Sequence, residues 1–175
     1  MTDTTLSQAL QEAYASAPVD VFVHYTLELI HPAFTTPIRV VRGRDALEAF
    51  LESTAPVNPG ALVYFVGFAF DFTKPELSFS GVPQVTIEID NVDRDIVANL
   101  ELAVSAGATP ITCIYREYLS TDLSGPQNNP PLTLTISTVK ADVFKVTATA
   151  SFPDLNNRRF PTTEYDAETY PGLVS

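Results

Sequence analysis

The chain has 175 residues, 45% of them hydrophobic and 18% charged, with 21 acidic against 10 basic side chains and a net charge of −11. This composition can build a core and is not that of a disordered chain, and the acidic excess argues against nucleic-acid or anionic-membrane partners, which require Lys and Arg. The single cysteine, Cys113, excludes an intrachain disulfide and a cysteine-based metal cluster.

The opening MTDTTLSQALQEAY lacks the basic start and apolar run of a secretory signal. No later run approaches the roughly 18 apolar residues of a membrane span. A soluble protein made in the cytoplasm is expected. The opening instead predicts a helix, capped by Thr4 or Thr5, with Leu6, Leu10, Ala13, Ala9 and Tyr14 on one face and Pro18 ending it. VDVFVHYTLELI then predicts a strand. Val19, Val21, Val23, Tyr25, Leu27 and Leu29 share its core face, and Asp20, Phe22, His24, Thr26, Glu28 and Ile30 lie on the other.

IRVVRG continues as strand after a proline-containing turn. RDALEAFLEST reads as a short helix with Leu47, Phe50 and Leu51 on one stripe. ALVYFVGFAFDF has no clean period, which suits a strand buried on both sides or packed against a partner. PQVTIEID alternates, with Val85, Ile87 and Ile89 on one side. NVDRDIVANLELAVSAG turns helical. Asn91 or Asp93 caps it, Asp95 suits its first turn, Ile96, Leu100 and Val104 stack, and Gly107 closes it.

ITCIYREYLSTD is again a strand, SGPQNNPP a loop, and LTLTISTVKADVFKVTATASF one or two long strands rich in Thr and Val. The end of the chain has no period. The expected fold is mainly β with some α: a β-sandwich or small barrel with one or two packed helices. A single β-rich domain over 1–153 with an N-terminal helix would carry an extended C-terminal arm over 154–175.

Three constellations could carry chemistry. DNVDRD at Asp90–Asp95, with Glu101, fails as a calcium loop, because Val92, Arg94 and Asp95 stand where two oxygen ligands and a glycine are needed. A strand end followed by an acidic helix cap explains it. His24, His31 and Cys113 could form a thiol–imidazole pair, but no spacing indicates it and a buried thiol is the ordinary outcome. The Arg158–Arg159 pair offers either local ion pairs with Asp154, Glu164 or Asp166, or an anchor for a partner. No G-x-S-x-G, P-loop, G-x-G-x-x-G or H-E-x-x-H motif occurs. No enzyme, cofactor or metal is expected, although a carboxylate-pair hydrolase at Asp90, Asp93 or Asp95 stays open, since such pairs assemble in space.

The runs LELIHPAF, IRVVRG, FAFDFTKPE, VTIEIDNVDRDI, IYREYLSTDLSGP and VTATASFPDLNNRRFPTTEYDAETYPGL, in that order, cover the chain from about Leu27 to Leu173. Together they resemble a phage and prophage minor tail protein family of unassigned function encoded near the tape-measure gene. That resemblance implies a virion protein at the tip of a long non-contractile tail, similar to the distal tail proteins that join tail tube to receptor-binding hub. It implies a homo-hexameric ring, with a trimer as the alternative, and tail tube, hub and tape-measure proteins as partners. A tail assembly chaperone or adaptor not retained in the virion is the second reading. A related tail-tip class holds an iron–sulfur cluster on several cysteines, which this chain lacks.

Three features of the sequence suit such a role. The Thr/Val-rich strands over 132–152 offer edges for pairing. Phe152, Arg158, Arg159, Phe160, Tyr165 and Tyr170 are the expected interface residues, because aromatics and arginine anchor interfaces. An acidic lumen would let DNA pass without binding.

Overall fold

A computed structural model of the protein describes residues 6–16, 18, 20–72, 84–90, 94–107, 109–141 and 145–152. The arm over 154–175 lies outside the described residues, and so do Arg158, Arg159, Phe160, Tyr165 and Tyr170.

The elements in chain order are α1 (Gln8–Ser16), β1 (Val23–Ile30), β2 (Ile38–Arg42), β3 (Leu47–Phe50), β4 (Leu62–Phe68), β5 (Phe70–Phe72), β6 (Gln84–Asp90), α2 (Arg94–Ser105), β7 (Ile111–Leu119), β8 (Leu132–Ala141) and β9 (Lys145–Ser151). The strands form one nine-stranded sheet in the order β3-β4-β2-β1-β7-β8-β9-β6-β5. The fold is mainly β with two helices, as the composition and alternation predict.

The sheet does not close into a barrel, but it is rolled. β4 lies next to one end of the strand order and β5 forms the other, yet only Ala69 separates them in the chain. The two ends therefore meet at that residue. Gly43 N–H donates to Phe68 O and Asp90 N–H to Ala69 O across the seam. Inside the roll is the main core: Leu27 and Leu29 of β1, Val40 of β2, Val85, Ile87 and Ile89 of β6, and matching residues of β7, β8 and β9. The predicted alternation of β1 and β6 places these side chains inward. Ile96, Leu100 and Ala103 of α2 join the same core.

The β3–β4 end curls the opposite way, over the outer face of β1 and β7. A second, smaller core forms there from Val41, Leu47, Ala49, Val63, Phe65 and Tyr118 among others. We call this end the wing. Gly67 makes its seam possible, since a Cβ at that position would stand 2.6 Å from the carbonyl carbon and oxygen of Arg44. The turn after β2 thus crosses directly over β4.

Five expectations need correction. The Thr/Val-rich strands over 132–152 offer no free edge, because β8 pairs with β7 and β9, and β9 pairs with β8 and β6. Residues 44–54 are not a helix. Leu47 and Ala49 point inward while Glu48 and Phe50 point out, a period of two, because β3 pairs antiparallel with β4 from Leu47↔Phe65 to Phe50↔Leu62. The N-terminal helix starts later than expected. Ser7 is its cap, its Oγ accepting from Leu10 N–H at 3.1 Å, while Leu6 bridges to Asn128 instead of joining the helical face. The first strand begins later than expected, at Val23; Val21 and Phe22 precede it, and Phe22 is exposed. Finally, β4 is not buried on both faces. Val63 and Phe65 are buried, whereas Leu62, Tyr64 and Val66 face solvent.

Candidate functional site

The outer face of β1, opposite the core face that its alternation predicts, is also sealed. Glu28 and Arg116 are both 0% exposed. Arg116 Nη1 donates to Glu28 Oε2 at 2.7 Å, and its Nε and Nη2 grip the carboxylate of Glu52 at 2.7 and 2.8 Å. Arg39 Nε donates to Glu28 Oε1 at 2.7 Å and its Nη2 to Asn58 Oδ1 at 3.0 Å. Two carboxylates and two guanidinium groups therefore alternate in a chain that is neutral in sum. Burial works against the charged guanidinium of Arg116. Its hydrogen bonds and attraction to Glu52 and Glu28 more than offset this, so its pKa lies above the ordinary arginine value.

Glu52 follows β3 directly, so this ion-pair chain fastens the wing to the main sheet. Tyr118 reinforces it with an O–H bond to Phe50 O at 3.1 Å. Burial pushes the Tyr118 phenol up, which keeps it a donor.

A second polar layer sits inside the roll at the end capped by α1. Glu117 is buried and accepts from Tyr115 O–H at 2.7 Å and from Tyr14 O–H at 3.0 Å. The Tyr14 hydroxyl also lies 3.2 Å from the Tyr25 hydroxyl. Burial first, then the Tyr25 hydroxyl and the charge of Glu117, raise the Tyr14 pKa. Burial and Glu117 raise that of Tyr115. Phe72 stacks on Tyr115 at 4.3 Å and Tyr25 lies nearly parallel to it at 6.3 Å. A cleft of about 240 Å³ opens between these rings, with Arg42 at its rim.

Asn128 supports this layer from below. Its Oδ1 accepts from Glu117 N–H and its Nδ2 donates to Tyr115 O, a side chain doing the work of a strand partner. Among the described residues, no buried side-chain nitrogen or oxygen lacks a partner. Both layers are satisfied networks of the kind that fix one arrangement of a core.

The chemistry-bearing residues singled out by sequence are not brought together. Cys113 is fully buried in the main core opposite Leu29, and burial pushes its thiol up to about 12. His31 is also buried. Its Nδ1 accepts from Ala33 N–H, which places the proton on Nε2, aimed at Thr109 O at 3.1 Å. His24 lies across from Tyr118, five places along β1 from the Cys113 partner, and burial lowers its pKa. Asp90 ends β6 opposite Lys145. Asp93 lies outside the described residues, and α2 includes Asp95. Among the described residues no cluster of three or more His, Cys, Asp or Glu could hold a metal. Phe152 packs against the main core, and it is the one expected interface residue within the described set.

The β4 strand of the wing falls in the run expected to be buried on both sides or packed against a partner, and its outward face is the feature that period alone does not fix. Leu62 and Tyr64 are 54% and 57% exposed, and Phe50 and Val66 lie beside them on the same face. Val66 pairs with Val40, a main-core residue, so this face continues the core side of the sheet beyond the part that α2 covers. The alternation of LVYFV carried the signal, with apolar residues at both phases, but period alone does not say which face is bare.

The fold and these surfaces define a mainly β protein with a buried ion-pair chain and, among the described residues, an exposed apolar sheet face. The chain belongs to the family described as Domain of unknown function (DUF1833), which matches residues 9–165. No curated protein matches the chain.

Proposed function

We propose that this chain is a non-enzymatic structural subunit of a bacteriophage tail tip, part of a distal tail ring between the tail tube and the receptor-binding hub. The observation that carries the reading is the wing. Its large apolar side chains face outward on a sheet held rigid from behind by the buried Glu52–Arg116–Glu28–Arg39 chain. A soluble monomer gains nothing from such a face, whereas an assembly subunit needs one. The ordered resemblance from Leu27 to Leu173 and the family's occurrence among phage-like proteins support the phage setting. The net charge of −11 suits a part that lies along the DNA path without binding it.

In this reading the ring is a homo-hexamer, with a trimer as the alternative, and its neighbours are the tail tube, hub and tape-measure proteins. The protein is made in the host bacterial cytoplasm and ends in the virion. Mass spectrometry of purified particles, followed by an electron cryo-microscopy map of the tail tip, is the test. Stoichiometric presence with density at the tip supports the proposal. Presence in infected cells but absence from particles overturns it in favour of an assembly chaperone.

A further inference from the structure

We infer that the bare face of the wing seats the C-terminal segment, residues 153–175, of a second copy of this chain. The inference rests on the assembly reading above and names the contact it requires.

The face is a continuous strip. Phe50 pairs with Leu62, Glu48 with Tyr64, and Val66 follows on the same side. It runs into a groove of about 350 Å³ between β4 and α2, lined by Ile38, Val40, Ile96 and Asn99 among others. A strip one strand wide beside a groove accepts an extended segment better than a second flat sheet.

The occupant follows from where the chain goes and from charge. The described chain ends at Phe152, while the sequence runs on to Ser175. The ladders place that exit. Ser151 is level with Thr135, Thr135 with Thr112, and Thr112 with Ile30. One residue on, Leu29 pairs with Ile38, and Val40 with Val66. The chain thus leaves β9 at the same end of the sheet as Leu62 and Tyr64. An extended segment of that length reaches about 70 Å, enough to cross to a neighbouring copy.

Charge together with aromatic content favours this segment. Copies of net charge −11 repel each other, so a contact between them must bring cations to anions. Among the described cations, Arg39 and Arg116 are committed within the buried chain, Arg42 pairs with Asp71 and Lys145 with Glu88, while Arg44 and Lys140 are exposed but have no aromatic beside them in the sequence. Arg158 and Arg159 directly precede Phe160, and Tyr165 and Tyr170 follow. On the wing, exposed Glu48 stands across from Tyr64. A basic pair followed by an aromatic matches a carboxylate beside an apolar strip.

The test uses two full-length proteins, one carrying Tyr64→Cys and the other Phe160→Cys. The native Cys113 is fully buried and does not compete. The two are mixed, oxidised and analysed by non-reducing gel and peptide mass spectrometry. The expected result is a disulfide joining the two different chains, lost when Arg158→Glu and Arg159→Glu are added to the second. No cross-link in the mixture overturns the inference. So does Tyr64→Cys linking mainly to itself, which would make the wing a face-to-face contact. A link that forms only within one chain carrying both substitutions also overturns it, because the segment would then sit on its own copy.

Sedimentation gives an independent readout. Leu62→Ser should weaken self-association about tenfold or more, the scale of losing an anchor residue, and unchanged association would again overturn the inference. A missing cross-link in a protein that is present in purified tails counts against this seat alone. A cross-link in a protein absent from tails leaves the seat standing and removes the tail reading.

Discussion

Arg116 and Glu28, neighbours on adjacent strands of the sheet, meet at 2.7 Å with both side chains fully buried. Their pairing is what allows the wing to lie on the outer face of β1 and β7, because Glu52 completes the same guanidinium. Removing one member strands a charge in the interior. Arg116→Met and Glu28→Gln are each expected to destabilise the protein by about 3–5 kcal/mol, read by urea denaturation. Arg116→Lys should not rescue, since an ammonium cannot make the two-pronged contact with Glu52 while reaching Glu28. Near-wild-type stability of Arg116→Met would show that the ion-pair chain does not hold the wing.

Cys113 gives a prediction in pH. Its folded pKa is about 12, raised by burial from an ordinary value near 9.0. The unfolded thiol loses its proton first as pH rises. The stability linked to this group is therefore complete below about pH 9 and is lost progressively up to about pH 12, with a slope near 1.4 kcal/mol per pH unit. Cys113→Ala should flatten that part of the stability curve. In the native protein at pH 8 a thiol reagent should titrate no cysteine until denaturant is added. Rapid labelling without denaturant would contradict the buried placement.

Gly67 tests the crossing of the turn after β2 over β4 in the wing. Its missing Cβ leaves room for the backbone of Arg44 and Asp45, which would stand 2.6–2.8 Å away. Backbone cannot swing aside as a flexible side chain can. Gly67→Ala should cost about 1–3 kcal/mol, the range for overpacking, measured as a fall in thermal midpoint. Gly125→Ala, with nothing within 4 Å of the added carbon, serves as the neutral comparison.

Glu117 depends on hydroxyl donors from two elements. Tyr115→Phe removes the 2.7 Å bond and should destabilise by about 1.5–3 kcal/mol, the range for hydrogen bonds to charged groups. Tyr14→Phe removes the link between α1 and the mouth of the roll. It should raise hydrogen exchange in α1 more than in the strands. Uniform exchange across the chain would show that Tyr14 does not fasten the helix.

On the wing, Leu62→Ser and Tyr64→Ser should leave monomer stability within about 0.5 kcal/mol, as for ordinary surface changes. Their effect belongs to association. A large loss of stability in dilute protein would mean that the face is covered within one copy.

The sequence by itself determined the class of the fold and much of its core. Alternation in VTIEID and in YTLEL placed Val85, Ile87, Ile89, Tyr25, Leu27 and Leu29 on inward faces, because period is a local property that survives whatever the strand pairs with. The four-residue spacing of Ile96 and Leu100 marked the inner stripe of α2 for the same reason. Tertiary structure alone decided the rest. LEAF became β3 because Leu47 and Ala49 found Phe65 and Val63 across a ladder, and a pairing partner outweighs the weak helical preference of four residues. Glu28 lies on the face of β1 opposite the expected core face. It is buried because Arg116, 88 residues away, and Glu52 arrive on the same face, and spacing along a chain carries no record of such meetings. The bare wing has the same origin. Whether an apolar strand face is core or surface depends on what lies over it, and that is settled by the rolling of the sheet and not by the strand.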